Sequence, residues 1–147
     1  MRVIVQRCDS ASVTVKDNVI GKIDKGYVLL VGFSNEDNED LIKKIVKKIV
    51  SLRIFEDENG KMNYDITKVK GKILSVSQFT LYGKLNGNRP SFTDAMPYNE
   101  AKKMYELFNQ ELRLNNIKVE TGEFGAEMKV SLINDGPVTI ILDSKEI

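Results

Sequence analysis

Hydrophobic and polar residues alternate along much of the chain, which is the pattern of half-buried β-strands. The opening residues MRVIVQR alternate in this way, and SVTVK and VIGKI follow as two short strands with a hairpin turn expected at Asp17-Asn18. After a turn at 24–26, the apolar run YVLLVGF predicts a buried strand. RIF, KILSVSQFTLY, IKVET, FGAEMKVSLI and VTIILD are also strand-like. The chain is therefore predicted to be rich in β-structure.

Two segments instead repeat their apolar residues at helical spacing. The first has apolar residues at Ile42, Ile45, Val46, Ile49 and Val50. Asp37 or Asn38 can cap this first helix. The second runs from about Pro97 to Asn115, and proline suits a first helical turn. We expect residues 1–147 to form a single α+β domain, with a barrel-like, antiparallel-rich sheet and two main helices.

Composition restricts the chemistry more than the fold. The 147 residues include no histidine and one cysteine, Cys8. Ser-His-Asp and Cys-His catalysis, histidine-containing zinc sites and an intrachain disulfide are therefore excluded. Catalysis would have to use carboxylates, hydroxyls, amides, lysine, backbone N–H groups or the substrate itself. We expect no cofactor and no metal, and we expect Cys8 to be a packed small hydrophobe.

Charge and hydropathy suggest a cytoplasmic protein. The net charge is +1, which allows contact with a few phosphates but lacks the basic footprint of a general nucleic-acid binder. No apolar run approaches the ~20 residues of a membrane helix, so no membrane contact is expected. The four lysines at 43, 44, 47 and 48 are either a phosphate-binding patch or a solvated helix face, and the second interpretation is favoured.

Three stretches are candidates for a functional role. DENGKMNYD, residues 57–65, resembles a calcium loop, but the spacing fails and a turn explains the residues. The loop GKLNGNRPSFTDAMP is long for a compact domain and is therefore a functional candidate. In SVSQFTL, a strand would place Gln78 and Thr80 on one face, either lining a pocket or simply ordering a strand edge. Thr80 has no evident base beside it.

The stretch NDGPVT raises a separate question, because a proline follows the Asp-Gly that would ordinarily join a hairpin. The plain interpretation is a turn between two strands. The alternative is a cis Gly136-Pro137 bond, which would aim two carbonyl oxygens in one direction. About 5–6% of X-Pro bonds in folded proteins are cis.

Taken together, these stretches resemble the D-aminoacyl-tRNA deacylases. The resemblance covers nearly the whole chain, through VQR and ASV, RIF with DENGKMN, SVSQFTLYG, NRPSF, TGEFGAEM and NDGPVT. SQFT and GPVT are the signature motifs of that family. The loop GKLNGN departs from it, with Lys84 where an acid is common and Asn86 where a lysine is common.

The resemblance implies a β-rich homodimer that hydrolyses the ester of D-aminoacyl-tRNA, and of glycyl-tRNA mischarged on tRNA(Ala). It implies that the catalytic pocket is lined by Ser77, Gln78, Phe79 and Thr80. It implies that Gly136 and Pro137 form a Gly-cis-Pro motif that enters the partner's pocket and rejects L-amino acids. The remaining residues implied for substrate selection are Arg7, which orients that motif, and Phe124, Ala126 and Met128 close by.

Two mechanisms and two other classes of protein stay open at this point. The leading mechanism uses the 2′-hydroxyl of the tRNA to assist hydrolysis, with backbone N–H groups near Phe79 and Thr80 stabilising the oxyanion. The rival mechanism is covalent attack by Thr80. A non-catalytic RNA-binding module and a structural dimer are the other classes; the second would leave SQFT and GPVT unexplained.

Overall fold

The computed structural model describes residues 1–147 as ten strands and two α-helices. In chain order these are β1 (Arg2–Val15), β2 (Asn18–Ile23), β3 (Gly26–Gly32), α1 (Glu39–Ser51), β4 (Phe55–Glu56), β5 (Met62–Tyr64), β6 (Lys72–Ser77), β7 (Lys84–Leu85), β8 (Pro90–Ser91), α2 (Tyr98–Arg113), β9 (Val119–Thr121) and β10 (Lys129–Asp143). Neither helix has the length and apolarity needed to cross a membrane.

The main sheet is mixed, with strand order β10-β1-β3-β6-β9 and β2 paired to β1. Strand β1 runs antiparallel to β2, β3 and β10. However, β3 pairs with β6 in parallel, and so does β6 with β9. The sheet is therefore mixed, and the antiparallel pairs that were expected to predominate are those made by β1. Parallel neighbours need a long crossover, and the segments containing α1 and α2 provide the two that this sheet requires.

The sheet curls into the expected barrel-like shape, and its central strands β3 and β6 are buried on both faces. Val28, Leu74 and Val76 belong to an interior cluster with residues of β1 and β2. The larger core lies on the other face, where both helices cover the sheet. Strand β2 crosses close to the far edge, since a methyl group on Gly21 would lie 3.0 Å from the carbonyl oxygen of Thr121.

Both predicted helices are confirmed with small changes at their ends. Helix α1 begins after Asn38, whose side-chain oxygen accepts a hydrogen bond from the N–H of Leu41 at 3.0 Å. Helix α2 begins directly after Pro97. Cys8 is fully buried in the interior cluster, and desolvation raises the pKa of its thiol to about 11. It is a packing residue, as predicted.

Several predicted strand boundaries are wrong. MRVIVQR and SVTVK form one continuous strand, β1, and FGAEM precedes β10 as a turn rather than starting it. The stretch Asn134–Pro137 does not join a hairpin, because the residues before and after it belong to the same strand, β10. Both halves of β10 pair with β1, with a register break opposite Arg7. The plain hairpin interpretation of NDGPVT is therefore also wrong.

The predicted strand KILSVSQFTLY ends early, at Ser77. Residues Phe79–Tyr82 form a single 3₁₀ turn. Gln78 and Thr80 therefore do not share a strand face, and that prediction is wrong. The alternation of the sequence continues past Ser77, but the partner strand β3 ends at Gly32, so the ladder has nothing further to pair with.

Candidate active site

A cavity of about 570 Å³ opens where β6 gives way to the 3₁₀ turn. Its wall comes from four segments that are distant in sequence: the end of β6 with Ser77–Phe79, the loop around Phe92, the first turns of α2, and residues 124–130. Most of the lining side chains are apolar. This is the form expected of a ligand site, mainly apolar with a few polar groups that fix orientation.

The SQFT motif supplies one side of this cavity. Ser77, Gln78 and Phe79 line it, whereas Thr80 does not. The ring of Phe79 is 57% exposed and meets Phe92 edge to face, with centroids 5.1 Å apart. The Thr80 hydroxyl accepts a hydrogen bond from the Gln78 side-chain amide at 2.5 Å. The motif thus presents one aromatic ring and the Ser77 and Gln78 side chains to the cavity.

The long loop after SQFT forms the second side. Phe92, Ala95 and Met96 line the cavity. The loop is tied to the end of β3, because the N–H of Met96 donates to the carbonyl of Phe33 at 2.9 Å. The sequence identified this loop as a functional candidate but not these three residues. The length of the loop was the only sequence feature that pointed to these three residues.

A tight turn closes the third side, and α2 supports it. Phe124, Gly125 and Ala126 line the cavity together with Tyr98. Gly125 has φ +78°, and the Tyr98 ring lies where its side chain would be. Tyr98 also meets the Phe124 ring edge to face at 5.1 Å. Phe124, Ala126 and Met128, which the family resemblance implied for substrate selection, line the same cavity as the SQFT residues. Tyr98 was not predicted.

The cavity lining carries no carboxylate, amine, thiol or imidazole. Its polar side chains are those of Ser77, Gln78 and Tyr98. No lining side chain is therefore an obvious general base for water or for a hydroxyl nucleophile. Backbone N–H groups at the start of the 3₁₀ turn have no acceptor within the turn itself, as at any helix start.

Gly136 and Pro137 lie elsewhere on the same chain, and the bond between them is cis. They sit opposite Arg7, where four residues of β10 face one residue of β1. Neither residue lines the cavity of its own protomer. The structure therefore does not bring the GPVT and SQFT motifs together within one chain.

Arg7 is almost completely buried behind this segment, with 4% of its surface exposed. Its Nη1 donates to the carbonyl oxygen of Ile54 at 2.6 Å, and its Nε donates to that of Asp135 at 3.2 Å. Its Nε also lies 3.2 Å from the Asp135 carboxylate. Arg7 thus ties the residue before Gly136 to the body of the domain.

Two other features with possible functional readings have structural explanations. One carboxylate oxygen of Asp57 accepts the N–H groups of Asn59 and Lys61, at 2.9 and 3.0 Å. These hydrogen bonds lower the pKa of Asp57, and the one from Lys61 has the largest effect. Residues 57–61 are thus a turn, as predicted. In the atypical loop, Lys84 forms an ion pair with Asp94 at 2.5 Å.

Comparisons with known proteins identify the class of protein. A family model described as D-Tyr-tRNA(Tyr) deacylase matches residues 4–143. A D-aminoacyl-tRNA deacylase of Bacillus cytotoxicus is 54% identical over 146 residues, covering 99% of this chain and 100% of the relative. One of Thermosipho africanus is 51% identical over 148 residues, covering 100% and 99%.

Solved structures agree on the fold. One described as the c-Myc DNA Unwinding Element Binding Protein has a TM-score of 0.92 at 43% identity, covering 97% of this chain and 98% of that chain. One described as a probable eukaryotic D-amino acid tRNA deacylase has a TM-score of 0.83 at 18% identity, covering 96% and 97%, and it shares the fold. The chain belongs to the D-Tyr-tRNA(Tyr) deacylase family. It is accordingly an enzyme, a hydrolase that acts on the ester bond of aminoacyl-tRNA.

Proposed function

We propose that this protein hydrolyses the ester between a D-amino acid and the 3′ end of tRNA, and that glycyl-tRNA mischarged on tRNA(Ala) is also a substrate. The observation that carries the proposal is the cavity. It is lined by three residues of SQFT and by residues of the FGAEM turn, in a chain that matches the deacylase family over residues 4–143. Charged tRNA is made where translation takes place, so the cytoplasm is the proposed compartment.

The proposed chemistry needs no acid or base from a side chain. An aminoacyl ester is already activated, so the barrier to be lowered is modest. Backbone N–H groups of Phe79 and Thr80 stabilise the developing oxyanion, which is worth about 3 kcal/mol per donor in other hydrolases. The 2′-hydroxyl beside the ester positions or activates the water. The absence of any carboxylate, amine or imidazole from the cavity lining supports this route over one that uses a side-chain base.

The proposed selectivity rests on main-chain atoms. The carbonyl oxygens of Gly136 and Pro137 crowd an L side chain at the reacting centre, whereas a D side chain points outward and glycine has none. Because main-chain atoms reject the L form, the site accepts D-amino acids with different side chains and needs no pocket shaped for one of them. Arg7 holds the segment in place through Asp135.

Two copies of the chain complete the proposed site. Gly136 and Pro137 do not reach the cavity of their own chain, which supports the proposal that they enter the cavity of a second one. Strand β10 is at the end of the sheet order, and its second edge is unpaired. Ile133 and Ile141 on this strand are 59% and 69% exposed. A long apolar edge strand is a ready partner for another chain.

One assay tests the function. Purified protein is incubated with D-tyrosyl-tRNA, L-tyrosyl-tRNA and glycyl-tRNA(Ala), each with and without EDTA. We expect release of D-tyrosine and glycine, retention of the L ester, and no effect of the chelator. Equal hydrolysis of the two tyrosyl esters would contradict the selectivity, tRNA binding without ester loss would favour an RNA-binding module, and chelator sensitivity would contradict metal-free chemistry.

A further inference from the structure

The 3₁₀ turn that follows Gln78 is pressed closely onto the end of strand β3. A methyl group on Gly32 would lie 2.8 Å from the carbonyl oxygen of Gln78 and 3.1 Å from the Cβ of Leu81. The N–H of Gln78 donates to the carbonyl of Val31 at 2.7 Å. Gly32 does not have a positive φ. What glycine contributes here is therefore the absence of a side chain, which lets the turn approach the strand.

Arg2 holds the same turn from strand β1. Its Nη1 donates to the carbonyl oxygen of Leu81 at 2.9 Å, while its Nε donates to Asp143 at 3.0 Å. Its guanidinium also lies over the Tyr82 ring, 4.6 Å from the centroid. A planar guanidinium can make all of these contacts at once, whereas a lysine ammonium cannot. Arg2 thus links the turn to the last residue of β10.

We propose that Gly32 and Arg2 are positioning residues for deacylation, which fix the place of the Gln78–Tyr82 segment in the cavity wall. The proposal rests on the proposed function, which assigns that segment to catalysis. Neither residue lines the cavity, so neither is placed to touch the reacting ester. A shift of about 1 Å in a catalytic group can lower a rate ~100-fold. Loss of either contact should therefore lower kcat and leave KM nearly unchanged.

The experiment measures kcat and KM on D-tyrosyl-tRNA for the wild type, Gly32→Ala, Arg2→Met and Arg2→Lys. We expect kcat to fall about 10- to 100-fold in Gly32→Ala and about 10-fold in Arg2→Met, with KM within about twofold. Arg2→Lys should recover part of the lost kcat, because an ammonium can donate to Leu81 or to Asp143 but lacks the fork that joins them.

Two matched variants separate positioning from loss of stability. In Gly21→Ala a methyl group also meets a carbonyl, that of Thr121 at 3.0 Å, but inside the barrel. Arg113→Met also removes an arginine that donates to a main-chain carbonyl, that of Val119 at 3.0 Å. We expect both controls to lower the melting temperature as much as the test variants do, with kcat within about twofold of the wild type.

Two outcomes would overturn the proposal. One is a kcat for Gly32→Ala and Arg2→Met no lower than that of the controls. The other is a rise in KM at constant kcat, which would make these residues part of substrate binding. A wild-type protein that does not release D-tyrosine would instead contradict the proposed function, so the two failures are distinguishable.

Discussion

At the scale of single residues, the glycines near the site act through the side chain they lack. Gly32 lets the 3₁₀ turn approach strand β3, and Gly136 leaves room for the Arg7 guanidinium. Gly122 similarly leaves space for the Met128 side chain, whose sulfur lies 2.5 Å from where a methyl group would be. A methyl group at Gly32 or Gly136 meets an atom that helps to define the site, so small substitutions at these two positions should have large effects. At Gly122 the flexible Met128 side chain can move away, and a smaller effect is expected.

Replacing Thr80 by alanine tests the role of its hydroxyl. The hydroxyl is bonded to the Gln78 amide and does not line the cavity, so we expect kcat to stay within about tenfold of the wild type. Removing a true serine nucleophile costs about 10⁶-fold in kcat in a serine protease. Single-turnover hydrolysis of D-tyrosyl-tRNA provides the measurement. Abolished turnover with intact tRNA binding would restore Thr80 as the nucleophile.

Replacing Gly136 by alanine tests the proposed selectivity. A methyl group would lie 2.8 Å from the Val138 Cγ2 and 3.0 Å from the Arg7 Nη2, at φ +116°. We expect the ratio of D-tyrosyl to L-tyrosyl hydrolysis to fall by tenfold or more, since about 1.4 kcal/mol of lost discrimination is a factor of ten. In the control Gly87→Ala, at φ +90° in open space, the ratio should not change. An unchanged ratio in Gly136→Ala would count against the proposal.

At the scale of elements, each helix does two tasks, since it covers the sheet and connects parallel strands. Helix α1 buries Ile42, Ile45 and Ile49 against the core. Its four lysines face away from that buried side and are exposed, as the favoured interpretation of the sequence has it. Helix α2 additionally places Tyr98 against the 124–126 turn, so its first residues belong to the cavity.

Removing the N-cap of α1 should lower the free energy of unfolding of the domain without changing the rate of ester hydrolysis. In Asn38→Ala the N–H of Leu41 loses its side-chain acceptor. Loss of such a cap costs about 1 kcal/mol of unfolding free energy, which should appear as a lower midpoint in urea with an unchanged slope. Lys44→Ala, on the exposed face of the same helix, is the control and should stay within ~0.5 kcal/mol. A comparable loss in both would show that the cap is not the cause.

At the scale of the whole molecule, one protomer holds the two signature motifs apart. The cavity contains most of SQFT, while the Gly136-Pro137 segment sits at the β1–β10 register break. Under the proposed function, a second chain completes each site, and both sites would share one interface. An exposed edge strand with large apolar side chains is where such an interface would form.

Introducing charged side chains on strand β10 should dissociate the proposed dimer. We expect Ile133→Asp with Ile141→Asp to give monomers in sedimentation equilibrium, because both side chains would be buried against the second chain. Hydrolysis of D-tyrosyl-tRNA should fall at least tenfold, in step with the loss of dimer. Leu114→Asp, at a side chain that is 75% exposed at the end of α2, should remain dimeric. A wild-type monomer with full D-over-L selectivity would contradict the two-chain site.

The sequence by itself determined the helices, the absence of histidine chemistry and the motifs that resemble one enzyme family. Helical periodicity reports which face is buried, and this is a local property of residues such as Ile42 and Ile45. Resemblance to that family, rather than periodicity, also implied a pocket lined by Ser77, Gln78, Phe79 and Thr80. The first three line the cavity together with Phe124, Ala126 and Met128, whereas Thr80 does not.

Only the tertiary structure decided where β6 ends, which strands are parallel, and which further side chains complete the cavity. The alternation through SVSQFTL looks like one strand, yet the ladder stops at Ser77 because its partner stops at Gly32. Phe92 and Tyr98 reach the cavity because distant segments fold against the ends of β3 and β6. Pairing and close approach depend on atoms far away in sequence, and a local pattern of polar and apolar residues does not record them.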